Sequence, residues 1–264
     1  MGDPARLEGI VRAFDRQSDV MPRVEWFSDP KRARELLAFA RLAPGDRALE
    51  VGCGPGFVLA QASEAERLVG VDVSPRMLLT AAVRAPHAQV TRAAVERLPF
   101  REGSFDLAVC RSVLHHAIDA AAMIREMARV VAPGGRVVVN DSVCSEDPTE
   151  ATNHNQVERL RDPSHGRMVP PSELVMLFRR ADLRIAQVRA HRYSRDLEEF
   201  LDITSPEPSA REEIARRFRA WTIRDECGLF VREETGRIRF DHTHWTVLGT
   251  RPARRQVRRG RRTA

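Results

Sequence analysis

The chain has 264 residues, 42% of them hydrophobic and 30% charged, enough to bury a core in one large domain or a domain with a lid, which excludes a disordered or fibrous chain. No stretch approaches the roughly 20 uninterrupted apolar residues of a membrane span, and Met1 to Asp15 is too polar for a signal peptide, so a soluble cytoplasmic protein is expected. The net charge of +6 could mark a nucleic-acid partner, but seven arginines and no acid fall in the last fourteen residues; without them residues 1–250 stand at −1, and a nucleic-acid partner is disfavoured.

Leu7, Ile10, Val11 and Phe14 recur at helical spacing, predicting a helix over 5–16, with a second from about Pro30 to Ala40 and a turn at Ala43-Pro44-Gly45-Asp46. Short apolar runs follow at Ala48–Val51, Leu68–Val71, Ala88–Val90, Leu107–Cys110 and Val137–Val139, with helical patterns at about 57–64, 75–85 and 119–131. Strands apolar throughout and separated by helices indicate a parallel sheet covered on both faces. Beyond Asn140 come a polar stretch to Pro171, a helix at 172–180, a strand at Leu183–Val188, helices at 195–203 and 208–221, and an imperfectly alternating strand at Ile238–Leu248. The stretches 141–171 and 192–236 are the natural places for a substrate lid, and the apolar run Leu174-Val175-Met176-Leu177-Phe178 is read with these lid-sized insertions. Residues 251–264 read as a solvated, disordered Arg-rich tail. Cys53, Cys110, Cys144 and Cys227 are too widely spaced for a zinc finger or a disulfide framework.

The strongest local signal is Glu50-Val51-Gly52-Cys53-Gly54-Pro55-Gly56, where the first strand gives way to a turn. Glycines there permit a tight bend and close approach of a ligand to the backbone. A dinucleotide fingerprint places its third glycine one residue later, where this chain has Phe57. Glu50 would be awkward beside a diphosphate but suits an ammonium group. Asp72, ending the second strand, can accept from ribose hydroxyls and would repel a 2′-phosphate. A ligand with a ribose and an ammonium group but no phosphate is S-adenosylmethionine.

With Gly70-Val71-Asp72-Val73-Ser74-Pro75, Leu98-Pro99-Phe100, Ser104-Phe105-Asp106-Leu107, Leu114-His115-His116 and Val131-Ala132-Pro133-Gly134-Gly135 in the same order, the sequence resembles the class I S-adenosylmethionine-dependent methyltransferases, especially the ubiquinone and menaquinone biosynthesis branch. The resemblance implies an α/β fold with a doubly wound, mostly parallel seven-stranded sheet (Rossmann-like) and helical lid insertions. It implies a helical cover over residues 1–44 and the methyltransferase domain over 45–250. Cofactor contacts are then expected from Glu50, Gly52, Cys53, Gly54, Gly56, Asp72, Val73, Met77, Ala94, Val95 and Arg111. The family's usual aspartate, which accepts from the adenine amine, is replaced here by Ala94, with Glu96 as its nearest substitute.

His115 and His165 are the candidate catalytic bases. Arg161 is a candidate clamp within a segment that also reads as a capped helix ending in an Asp-Pro turn. His154 is a further candidate base. Cys53 reads as a packing residue, and Phe14, Trp26 and Phe27 as core-closing residues, although the resemblance, in which N-terminal helices cover the cofactor cleft, leaves a place at the cleft open to them. No metal is expected: His242 and His244 share a strand face, but no third ligand stands near them in the sequence. The expected activity is methyl transfer to an oxygen or carbon of a small molecule such as a quinone or polyketide. The rival is a cyclase or isomerase on the same fold, and a homodimer is left open.

Overall fold

The structure, a computed structural model, describes residues 4–253; the expected tail lies, from Arg254 onward, outside the described residues, as does the side chain of Trp26. Five strands run parallel: β1 (Arg47–Val51), β2 (Arg67–Asp72), β3 (Gln89–Arg92), β4 (Phe105–Arg111) and β5 (Val131–Ser142). Two long strands complete the order β3-β2-β1-β4-β5-β8-β6: β8 (Arg237–Thr250) is antiparallel to β5, and β6 (Arg184–Asp196), antiparallel to β8, runs in the direction of the first five, while short β7 (Arg232–Glu234) pairs with β8 off this path. The order reverses at β1, between β2 and β4. In open α/β sheets a ligand crevice forms at such a point, beyond the carboxyl ends of the strands.

The helices form where capping and periodicity agree, and the short one at Glu25–Ser28 forms where none was expected. These are α1 (Pro4–Gln17), α2 (Glu25–Ser28), α3 (Pro30–Ala40), α4 (Pro75–Arg84), α5 (Ala120–Val130), α6 (Pro148–Arg161), α7 (Pro171–Arg180), α8 (Leu197–Thr204) and α9 (Pro208–Trp221). Asp29, Ser74, Asp119, Asp147 and Asp196 each cap a helix by accepting a backbone N–H. On one face of the sheet α5 and α7 bury Ile124, Met127, Leu174 and Phe178 against Leu49, Val69 and Val137. On the other, α3 and α4 bury Leu36, Leu37 and Ala81 against Leu68, Leu107 and Leu248.

Three expectations change. The helix at 57–64 is a single 3-10 turn, Leu59–Gln61, because the Leu59 N–H donates to the Glu50 carboxylate at 3.1 Å instead of building a helix. The expected tail begins too early: Arg251 Nη1 donates to the carbonyls of Arg129 and Val131 at 3.0 and 2.7 Å, and its Nη2 pairs with Glu102, so this residue belongs to the sheet margin. The apolar run Leu174–Phe178 packs under the sheet as α7 and does not form a lid.

The segments 141–171 and 192–236 fold together around a core of their own. Pairing of β5 with β8 stops at Ser142↔His244, but β6 and β8 continue to Asp196↔Arg239 as a projecting hairpin. Its tip joins α6, α8 and α9 around Val157, Leu197, Phe200, Leu201, Ile214, Phe218, Trp221 and Phe240. Phe240 is fully buried, edge-to-face with Phe200 and Phe218 at 5.2 and 5.0 Å. Phe240→Ala is therefore expected to cost about 3–5 kcal/mol, read in urea denaturation. A loss below about 1 kcal/mol would show that this unit lies outside the cooperative core.

Candidate active site

The switch point holds a cleft of about 820 Å³, counted with its open mouth. Gly52, Gly54 and Gly56 sit at φ +68°, +51° and +84°, in the left-handed region that side chains disfavour. A Cβ on Gly52 would lie 2.4 Å from Val113 Cγ2, and one on Gly56 would lie 3.0 Å from the Ala81 Cα. The loop is tied to β2 by Cys53 N–H donating to the Val71 carbonyl at 2.9 Å. Cys53 is buried beneath the loop against Gly70, and burial holds its thiol far above the usual range, so it is a packing residue and not a nucleophile.

Two carboxylates face this cleft. Asp72 accepts from the Gly54 and Ser74 N–H groups, both at 2.9 Å. Each oxygen still has lone-pair capacity for a further donor. Glu50 is 4% exposed, and burial pushes its carboxyl up to about 8 against the opposing charge of Arg111. Arg111 donates through Nη2 to the Phe27 carbonyl at 2.9 Å, while its buried Nη1 has no hydrogen-bond partner among the described residues. Burial lowers its pKa. Val73, Met77 and Val95 line the same cleft, whereas Ala94 lies outside its wall. Glu96 reaches the wall, but its Oε1 already accepts from the Ile118 N–H at 2.7 Å. Helix α1 covers the opening with Leu7, Ile10 and Phe14 and is held by Asp15 on Ser74 at 2.5 Å.

A second cavity, about 570 Å³, shares Phe14, Met21, Phe27, Ser112 and His116 with the first. Phe14 and Phe27, expected to close a core, thus form the partition between two cavities. Ser112 stands there at φ +56°, a strained backbone position of the kind that collects at functional sites. His115 lines the second cavity, with Nδ1 2.5 Å from Asp141 Oδ1. Asp141 also accepts from the Val113 and Leu114 N–H groups at 2.9 and 2.6 Å and from Ser142 at 2.7 Å, so its position is over-determined. Burial would raise the Asp141 carboxyl, but the adjoining His115 outweighs it and the net direction is down. Burial likewise opposes charge on His115, and the Asp141 charge and hydrogen bond carry its pKa upward. An ionised Asp141 accepts a hydrogen bond from Nδ1–H, which stays protonated, and leaves Nε2 as the ring's acceptor.

The other histidines differ. His116 packs edge-on to Phe14 at 4.8 Å with Nδ1 3.2 Å from the Ser164 carbonyl. Burial and His115 push it down to about 4. His165 lines neither cavity. Its Nε2 is 3.0 Å from Asn155 Oδ1, and burial pushes it down to about 2. The structure therefore brings His115, and not His165, to the cavity wall. Sequence reasoning missed Asp141 and Ser112. The only available signal for Asp141 was an acid two residues after the apolar run Val137–Val139 of β5.

A doubly wound sheet with a glycine loop and buried carboxylates at its switch point defines a nucleoside-binding scaffold. The Methyltransferase domain family matches residues 49–139. The chain is 31% identical to the ubiquinone biosynthesis O-methyltransferase of Ralstonia nicotianae over 73% of its own length and 86% of that protein's. It is 30% identical to an uncharacterized methyltransferase of Bacillus subtilis, YcgJ, covering 62% of this chain and 68% of that one. The solved YcgJ structure superposes with a TM-score of 0.78 at 24% identity, covering 83% and 97% of the two chains. The chain belongs to the S-adenosylmethionine-dependent methyltransferases, and S-adenosylmethionine is its cofactor. No helix among the described residues is long and apolar enough to cross a membrane.

Proposed function

We propose that the protein methylates a hydroxyl oxygen of a small conjugated metabolite, a quinol or a polyketide phenol. The observation that carries this reading is the His115–Asp141 pair, at 2.5 Å, in a cavity that shares a wall with the cofactor cleft. S-adenosylmethionine supplies an electrophilic methyl group on a sulfonium, already activated for displacement. A hydroxyl acceptor must shed its proton, and a carboxylate-oriented imidazole is suited to take it. Phe14, Met21, Phe27, Phe200 and Ile203 give the acceptor cavity apolar walls. Arg161, over the Phe200 ring at 4.1 Å, adds a cationic edge suited to an oxygen-rich ring. The name of the Ralstonia relative points to the same chemistry.

Glu50, Gly52, Gly54, Asp72, Val73, Met77, Val95 and Arg111 are assigned to the cofactor. Glu50 would face its ammonium group, and Asp72 its ribose hydroxyls. With α1 closed over the cleft, water is kept from the methyl group.

Incubation with the cofactor and a panel of hydroxylated quinols and phenols, read by mass spectrometry, tests the reading. A product heavier by one methylene unit supports it. A rearranged product of unchanged mass would favour the cyclase alternative.

Glu50 also sets a pH dependence. In the free protein it holds its proton until about pH 8, and only the ionised form attracts an ammonium. Cofactor affinity is therefore expected to rise by up to about tenfold per pH unit on approaching pH 8, with proton release seen calorimetrically in buffers of different ionisation enthalpy. Above that, loss of the ligand's own α-amino proton flattens the rise. Binding at pH 7 without proton release would remove Glu50 from this role.

A further inference from the structure

Behind the acceptor cavity, α6 and β8 bring together three side chains far apart in sequence. His154 and Glu158 stand one helical turn apart and share a face of α6, and His242 comes from β8. His242 Nε2 lies 3.4 Å and His154 Nε2 lies 3.9 Å from Glu158 Oε1, and the three atoms all lie within 4.8 Å of one another. All three side chains are buried, at 1%, 2% and 3% exposure for His154, Glu158 and His242. His154 Nε2 has no hydrogen-bond partner among the described residues, and His242 Nε2 faces only Glu158 Oε1, off the line of a good hydrogen bond. Buried polar atoms left in this state call for a ligand or an ion.

We propose that His154, Glu158 and His242 form a binding site for a divalent transition-metal ion of the zinc class. Two imidazoles and one carboxylate are a recurrent donor set for catalytic zinc, and metal–ligand bonds of about 2.0–2.1 Å place tetrahedral donors about 3.3 Å apart. The two distances to Glu158 Oε1, 3.4 and 3.9 Å, are within a small side-chain adjustment of that spacing. The second carboxylate oxygen is already fixed: Arg161 Nε and Nη2 donate to Glu158 Oε2 at 3.0 and 2.8 Å, which turns Oε1 toward the two rings. Arg161 places a positive charge close to the ion. It also anchors the only anionic ligand, and Asp162 next in sequence offsets part of its charge.

The expectation of no metal rested on the absence of a third ligand near His242 in the sequence; the fold supplies two from α6. Glu158 and His242 line the acceptor cavity, so the fourth coordination position opens toward the bound acceptor. An oxygen of that acceptor, a hydroxyl or carboxylate, completes the shell and is polarised by the ion. This role rests on the methyl-acceptor reading; the binding of the metal does not.

The full chain, stripped with chelator, re-equilibrated with excess Zn²⁺ and desalted without cofactor or acceptor, is expected to retain about one zinc per chain by plasma mass spectrometry. Folded His242→Ala and Glu158→Gln, checked by circular dichroism, should retain less than about a tenth of that. Where a variant fails to fold, the Co²⁺-loaded wild type decides, with the absorption of a four-coordinate nitrogen and oxygen site and no thiolate charge-transfer band. Wild type that retains no zinc, zinc undiminished in folded His242→Ala, or a thiolate band overturns the site. Because no methyl donor or acceptor is present, failure here leaves the methyl-transfer reading standing. Conversely, a methylation assay that fails with zinc bound leaves the metal site standing.

Discussion

Replacing His115 with alanine is expected to lower kcat about 10²- to 10⁴-fold, the range for loss of a positioned general base, while the cofactor dissociation constant stays within about twofold because His115 lies outside the cofactor cleft. Asp141→Asn should approach the same loss by a different route. The amide cannot favour the Nδ1–H tautomer as a carboxylate does, and it presents donors to backbone N–H groups that now donate to it. The pH profile separates a base from a merely structural residue. His115 must be neutral to accept a proton, and its pKa is raised in the wild type, so kcat rises with pH through that raised value. Without the Asp141 charge, burial becomes the governing influence and the acidic limb of the profile moves to lower pH. A His115→Ala enzyme with wild-type kcat would end the base assignment. An unmoved limb in Asp141→Asn would end the claim that Asp141 acts through His115.

This pair shows where sequence reading stops. The parallel strands were legible because burial on both faces forces unbroken apolar runs such as Val137–Val139, and α4 because Ser74-Pro75 is a cap and first-turn signal that acts locally. Glu50 and Asp72 could be read because both adjoin the glycine loop or end a recognisable strand. Asp141 could not. Its meaning depends on the register that sets Arg111 beside Asn140 and so brings the end of β5 under the turn after β4.

The helix expected at 57–64 failed for a related reason. Its amide is claimed by Glu50, a non-local partner that periodicity does not see. The segments 141–171 and 192–236 were legible as insertions but not as a packed unit, since their shared core exists only when α6, α8, α9 and the β6/β8 hairpin meet. The same meeting gathers His154, Glu158 and His242. The i, i+4 spacing puts His154 and Glu158 on one helix face, but nothing in the spacing brings His242 to them.

On the cofactor side, Asp72→Ala is expected to weaken S-adenosylmethionine binding at least about tenfold, equivalent to about 1.4 kcal/mol. Hydrogen bonds to a charged group are worth about 1.5–3 kcal/mol. The substitution also frees the Gly54 and Ser74 N–H groups, which now converge on this carboxylate at 2.9 Å. Asp72→Asn distinguishes the two contributions: one backbone bond can persist on the amide oxygen, so the loop is less disturbed, but the charge that a ribose diol would bond is gone. Gly52→Ala attacks the same site through sterics. Its φ of +68° strains any side chain, and the new Cβ would lie 2.4 Å from Val113 Cγ2, so the loop or Val113 must shift. Calorimetry should therefore show loss of affinity in all three variants, with thermal stability least affected in Asp72→Asn. An unchanged dissociation constant in both Asp72 variants would mean that the ribose is held elsewhere. The case for a nucleoside at this switch point would then rest on Glu50 and the glycine loop alone.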